Sequence, residues 1–402
     1  MGAFAESVTL EQMEEDPYPI YKRLRAEEPV AWLPVLKAWL VTRWADVRRV
    51  VSSPESFVTN SPMAPQARVA GTGNMLSTEG DTHAVWRQSV DDTFAPEATA
   101  LVAAHARSVA ESCVKPLLDL TGTDLMTSYF DMVGAATVTR VVGLDQFVDT
   151  ETVIGWSTGI SGGLGNPTGD PERIKRAADA GADMEARLVP IAVELTKHPD
   201  SSLISHMIHA GRQPGDPRPA ADILSQLKAM TSSVRQPGWI SGNALHALLT
   251  HPDQLDAVRA NPQLLADAVH EAIRWAPTVG IVDRWTTRAV TLGEHEVPAD
   301  VTIAAGIASA NRDESSFRGQ SIGTDPNRYD IARPRRPHVS LGYSRHSCLV
   351  APFVPQIVEA ALGVLLEKFP LLRLDGPAPK PRGWKFRKLE SLPVRWDAPG
   401  TG

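Results

Sequence analysis

Along most of this chain apolar residues recur at helical rather than alternating spacing. Between Pro219 and Thr250 the positions Ile223, Leu224, Leu227, Met230, Val234, Ile240, Leu245, Leu248 and Leu249 are spaced for burial, which predicts one long helix. Further helices are expected over Asp16–Ala26, Pro171–Thr196, Ser201–Ala210 and Leu265–Trp275. A last one is expected from near Cys348 to Phe369, with Pro355 bending or weakening its first turns. Val30–Thr42 alternates around Pro34 and Lys37 like a hairpin, strands follow through Arg284–Ile307, and Gln320–Ser344 is irregular. The pattern is that of a mainly helical protein with small sheets near both ends.

Two stretches interrupt the periodicity. Ser53–Gly80 is rich in Pro, Gly, Ser and Thr and too long for a simple connection, and loops of that length are usually functional. Gly159–Asp170 carries Gly159, Gly162, Gly163, Gly165 and Gly169. It reads either as a hinge between two helices or as a plain surface loop.

A chain of 402 residues could hold two or three domains or one large helical unit. With 43% apolar residues it can build a sizeable core, yet it has no run of about 18 apolar residues that could span a bilayer. No basic segment followed by an apolar stretch opens the sequence, so the expectation is a cytoplasmic protein with no membrane attachment. The net charge of −7 argues against nucleic acid as a partner. Cys113 and Cys348 are too few for a disulfide framework.

Cys348 stands where a loop is expected to give way to a helix. There the positive end of the helix and its unpaired N–H groups would favour a thiolate. A lone cysteine is more commonly a buried structural thiol. What changes the balance is the company it keeps. The stretch His338-Val-Ser-Leu-Gly342-Tyr-Ser344-Arg-His346-Ser-Cys348 resembles the heme-binding loop of the cytochrome P450 superfamily, Phe-Gly-x-Gly-x-His-x-Cys-x-Gly. Leu341, Ser344 and Val350 depart from that pattern. Upstream, Glu271-Ala-Ile-Arg274, Trp275-Ala-Pro277, Asp283-Arg284, Ser309-Ala-Asn311-Arg312-Asp313 and Arg333-Pro334 follow the superfamily in order and spacing.

The resemblance covers nearly the whole chain and implies one heme domain over residues 1–402, with the helical P450 fold. It implies heme b, with Cys348 as the iron ligand. A single thiolate with no zinc-like spacing around it agrees with axial heme ligation. His83, Arg87, Arg284 and His338 fall on family positions that neutralise the heme propionates, a task suited to Arg and His. Glu271 and Arg274 belong to the scaffold beneath the heme. In the family, the Ser53–Gly80 segment covers the substrate and the Gly159–Asp170 break lies between the helices of a mobile lid.

The middle of the long helix departs from the family. An acid followed by a Thr usually serves proton delivery during dioxygen activation. Here those positions read Arg235 and Gln236, within Ser232-Ser-Val-Arg235-Gln236-Pro237-Gly238. Arg235 cannot release a proton at ordinary pH, and Gln236 can only orient a water. Pro237 should kink the helix over the heme by depriving the Ser233 carbonyl of its partner.

Asp16–Leu36, His198–His206, Gln236-Pro-Gly238 and Gly383-Trp384-Lys-Phe-Arg387 are similar to the bacterial aromatic O-demethylase branch. That branch implies oxidation of a small aromatic substrate, with electrons from a ferredoxin or flavin reductase, or with hydrogen peroxide as oxidant. The missing acid and alcohol also fit a biosynthetic enzyme that couples or rearranges its substrate without inserting oxygen. The altered cysteine loop fits a heme-binding sensor or a catalytically silent scaffold.

Overall fold

The computed structural model describes residues 3–61, 65–213, 215–317 and 325–397. These divide into two compact units, one drawn from Met1–Phe57, Ala103–Val133 and Pro237–Gly402, the other from Val58–Val102 and Gly134–Gln236.

In the first unit the strands Val30–Leu33, Ala38–Val41, Thr302–Gly306 and Ile281–Thr286 lie side by side in that order. The hairpin register sets Val30 against Val41 and Trp32 against Trp39, and the turn places Lys37 at φ 52°. Ala38–Val41 runs parallel to Thr302–Gly306, which pairs antiparallel with Ile281–Thr286 and so fixes Arg284 opposite Ile303. The helices Gln236–Leu249, Leu265–Trp275 and Val354–Lys368 share one apolar core with the turn Met126–Phe130. From Pro237 to Leu248 every residue of its helix is buried, and the polar Ser241 and Asn243 donate to the carbonyls of Pro237 and Ala276.

The second unit is built on the helices Thr150–Leu164 and Pro171–Lys197. Of the five glycines expected to form a hinge, Gly159, Gly162 and Gly163 are instead inside the first of these helices. A Cβ at Gly159 would fall 3.4 Å from the carbonyl carbon of Arg176 and closer still to its oxygen, and one at Gly163 would meet Ala177 Cβ at 2.8 Å. Spaced one turn apart, the two glycines let the helices approach closely, and the break begins only at Gly165. Trp156 Nε1 donates to Asp183 Oδ2 at 2.7 Å across the same pair.

Two helices differ from the sequence expectation. The long helix is not kinked but divided, into Ala220–Thr231 and Gln236–Leu249. Between them the hydrogen bonds tighten to three-residue steps, Val234 N to Thr231 O and Gln236 N to Ser233 O. The Ser233 carbonyl thus recovers the partner that Pro237 denies it. Ser232 and Ser233 add to the break, because their hydroxyls donate back to Ala229 O and Met230 O. Pro237 then sits in the first turn of the new helix, where its missing N–H costs nothing. The last helix likewise begins at Val354, not near Cys348. Pro352 has no N–H to offer the Cys348 carbonyl, which accepts from Ala351 at 3.2 Å instead, and Pro355 lies in the first turn rather than bending the helix.

Candidate heme-thiolate site

Cys348 therefore lies in a turn six residues before the helix, and the helix-end argument for its thiolate does not apply. Its placement comes from the loop itself. The Cys348 N–H donates to Leu341 O at 2.8 Å, and Ser347 N to Ser344 O at 3.0 Å closes the single turn Ser344–His346. Gly342 has φ 77°, and a Cβ there would come within 2.7 Å of the His346 carbonyl oxygen and 3.3 Å of the Cys348 nitrogen. Only glycine allows the chain to fold back so tightly. Ser344, where the family pattern has its second glycine, also takes a left-handed conformation, φ 60°. The backbone retains the glycine-type shape although the residue does not.

Next to the loop lies a buried charge cluster. Arg274 holds Glu271 through two bonds of 2.7 Å, Nε to Oε2 and Nη2 to Oε1, and Arg333 Nε donates to Oε1 at 3.0 Å. The side chains of Arg274, Glu271 and Arg333 are 2%, 5% and 3% exposed, so the bonds form away from water. The Glu271 carboxylate thus faces two guanidinium groups. Both also donate to carbonyls: Asn311 and Pro326 for Arg274, Asp325 and Arg328 for Arg333. Asn311 carries this order to the loop. Its Oδ1 accepts from Val339 N at 3.0 Å, and its Nδ2 donates to Ser340 Oγ at 2.7 Å and to Arg274 O. Ser340 in turn donates to Ile273 O. Sequence reasoning assigns Asn311 and Ser340 no role, although both stand within the motifs. Their signal is a polar residue in each of two motifs, and only the fold brings the pair together.

Arg284 and His338 belong to the first unit. Arg284, half-buried on its strand, donates to the Asp283 carbonyl at 2.8 Å. His338 keeps its Nδ1 buried without a hydrogen-bond partner among the described residues, with the His270 ring 5.1 Å away. Burial, then His270 and Arg274, pushes its pKa down to about 4, so the ring is neutral near pH 7. His83 and Arg87 belong to the second unit. They lie one turn apart on the helix Gly80–Gln88, His83 buried and Arg87 half-buried with Asp91 4.0 Å away. Arg235 ends the break in the long helix, where its Nη1 donates to Thr158 Oγ1 at 2.7 Å; Gln236 opens the next helix, half-buried.

These residues suit a heme. Cys348 offers a single sulfur, and among the described residues no cluster of three or more His, Cys, Asp or Glu could hold a metal by itself. Gly342 and Ser344 give the cysteine loop its tight backbone. The orphaned His338 nitrogen is a buried polar atom in want of a partner, which a carboxylate could supply.

No family model matches the chain. Among curated proteins it is 25% identical to pulcherriminic acid synthase of Bacillus subtilis (strain 168) over 378 residues, 92% of each chain. It is 26% identical to the cytochrome P450 monooxygenase PikC of Streptomyces venezuelae over 395 residues, 95% of this chain and 91% of the other. The solved structure of CalO2 superposes with a TM-score of 0.83 at 25% identity, covering 98% of this chain and all of that one. P450BioI, solved in complex with a hexadec-9Z-enoic acid ligated acyl carrier protein, superposes with a TM-score of 0.85 at 21% identity over 95% and 98% of the two chains. The fold is that of a cytochrome P450. With its curated relatives it places the chain in the cytochrome P450 superfamily, as a heme-iron oxidoreductase. Among the described residues no helix is long and apolar enough to cross a membrane.

Proposed function

We propose that the chain holds heme through the Cys348 thiolate and oxidises a small organic substrate, aromatic in character. The observation that carries this reading is the cysteine loop, tied through Asn311 to the Glu271–Arg274–Arg333 cluster and shaped by Gly342. When bound, heme iron with a thiolate ligand supplies oxygen activation. The protein's residues do the rest. His83, Arg87, Arg284 and His338 are the groups proposed to meet the propionates. Arg235 and Gln236 are proposed to present N–H donors to substrate or oxidant; neither can act as an acid near neutrality. For an aromatic methyl ether, hydroxylation of the methyl carbon gives a hemiacetal that collapses to a phenol and formaldehyde. Similarity of the Asp16–Leu36, His198–His206 and Gly383–Arg387 segments to O-demethylases supports that substrate class. Electrons would come from a ferredoxin or flavin reductase, with hydrogen peroxide as the alternative oxidant.

A second reading is a biosynthetic step that couples or rearranges its substrate. It is favoured by the replacement of acid and alcohol by Arg235 and Gln236. Product analysis with labelled oxidant, dioxygen with a reductase or hydrogen peroxide without one, separates the two, since only the first reading puts label in the product or in formaldehyde. The ligand itself is tested by the reduced, carbon monoxide-treated protein. A far red-shifted Soret band is expected, lost in Cys348→Ala and kept in Cys113→Ala; a histidine-type spectrum in the unaltered protein would sink the assignment.

A further inference from the structure

Ser344 at φ 60° holds a conformation unsuited to its type, since its Cβ crowds the backbone where a glycine would not. Something must hold it there. The residue before it, Tyr343, is extended at φ −153°, ψ 148°, and its side chain reaches the helix Trp44–Ser52. Arg48 Nη2 donates to the Tyr343 hydroxyl at 2.6 Å. The Arg48 guanidinium carbon lies 4.8 Å from the centre of the Tyr343 ring and 5.8 Å from that of Trp44. The Tyr343 ring also packs at the edge of the apolar cluster that contains Val47, Val50 and Val339. Tyr343 is thus fixed along its ring and at its hydroxyl, all within the first unit. Its backbone leads directly into Ser344 and the turn that precedes Cys348.

We propose that Arg48 and Tyr343 are positioning residues for the cysteine ligand: their clamp holds Ser344 in its left-handed conformation, and with it the turn Ser344–His346 that presents Cys348. A charge-assisted bond with a cation over an aromatic face is comparable in strength to the penalty of a left-handed serine, so the clamp is large enough for the task. It restores from the side the shape that a second glycine would give from within. This inference rests on the assignment of Cys348 as the heme ligand.

The test uses the heme-loaded protein and follows, in mild urea, the rate at which the red-shifted carbon monoxide band converts to the band of a heme that has lost its thiolate. Arg48→Met and Tyr343→Phe should each speed the conversion about fivefold, a difference of about 0.95 kcal/mol. Arg48 is exposed, so its variant should fold. Ser344→Gly alone should slow the conversion, because the strain is gone. Combined with Ser344→Gly, the Arg48→Met change should have less than about a twofold effect, as coupled residues require. Equal effects of Arg48→Met with and without Ser344→Gly, or no effect in either background, overturn the clamp while leaving Cys348 as the ligand. Absence of the red-shifted band in the unaltered protein overturns both.

Discussion

The backbone of Gly238 rests directly on the Phe130 carbonyl: a Cβ at Gly238 would fall 2.8 Å from the Phe130 carbonyl carbon and nearer still to its oxygen. One turn later Gly242 repeats the contact against the Met126 side chain. The first obstacle is backbone, fixed in the turn Met126–Phe130, so it cannot swing aside. Gly238→Ala should therefore destabilise the protein by about 3 kcal/mol, at the upper end for overpacking. Pro237→Ala should cost less than about 1 kcal/mol, because Pro237 occupies a first-turn position where its N–H is not needed. Urea midpoints of the two variants decide it; a tolerated alanine at Gly238 means that the two backbones do not meet as described.

Glu271 accepts from both Arg274 and Arg333 in their buried cluster. Glu271→Gln would leave two buried guanidinium groups facing a neutral amide, at a cost of about 3–5 kcal/mol. Arg333→Met leaves a matched pair behind and should cost less. Equal losses in the two variants, measured by urea unfolding, would mean that charge balance does not govern the cluster.

Element types and the location of the cysteine loop are legible from spacing and motif. Element ends are less so, and the misses share a cause. The count of apolar positions runs on through Pro237 and predicts a kink there, whereas Ser232 and Ser233 bond back to the preceding turn and end the helix. Pro352 delays the final helix in a way that only the partner of the Cys348 carbonyl reveals. At Gly159 and Gly163 glycine spacing alone cannot tell a hinge from a close helix crossing; the position of Ala177 decides it. The bridge through Asn311 joins residues far apart in sequence and has no local signal.

The neutral ring of His338 makes a pH prediction. Its native pKa, pushed down to about 4 by burial with His270 and Arg274, lies below the ordinary 6.5. Between those values the unfolded chain binds more protons than the folded one, so stability should be lost as pH falls through about 6.5 toward 4. His246 and His270, lowered chiefly by burial, act in the same direction. The heme-free protein should thus show a urea midpoint that drops from about pH 7 to about pH 5, with a shallower drop in His338→Phe. Heme should reduce the drop as well if a propionate gives the protonated ring a partner. Identical slopes in parent and variant would show that His338 does not titrate as described.

The propionate assignments can be separated by charge. Arg284→Ala removes a guanidinium that donates to the Asp283 carbonyl, and the urea midpoint of the heme-free variant measures what folding loses by it. Heme transfer to an acceptor apoprotein should quicken about tenfold or more, the equivalent of about 1.4 kcal/mol and within reach of breaking a charged pair. Arg284→Lys should recover part of the loss. Unchanged transfer in Arg284→Ala would remove Arg284 from the cage.

The oxidant follows from what Arg235 and Gln236 can donate. With Arg235 Nη1 directed at Thr158 Oγ1 and Gln236 at the start of a helix, this segment offers N–H donors but no titratable acid. Hydrogen peroxide arrives already carrying its protons, whereas dioxygen reduction needs them delivered. Peroxide should therefore support turnover at rates comparable to a reductase system. Gln236→Glu should shift the balance toward the reductase more than the same change at the exposed Gln263. Thr158→Val tests the arginine: without that hydroxyl, Arg235 should change the affinity for an acidic substrate analogue if it recognises substrate, and leave a neutral analogue unaffected. Peroxide that only bleaches the heme, beside efficient and tightly coupled reductase turnover, would rule out the peroxide route and return proton delivery to ordered water.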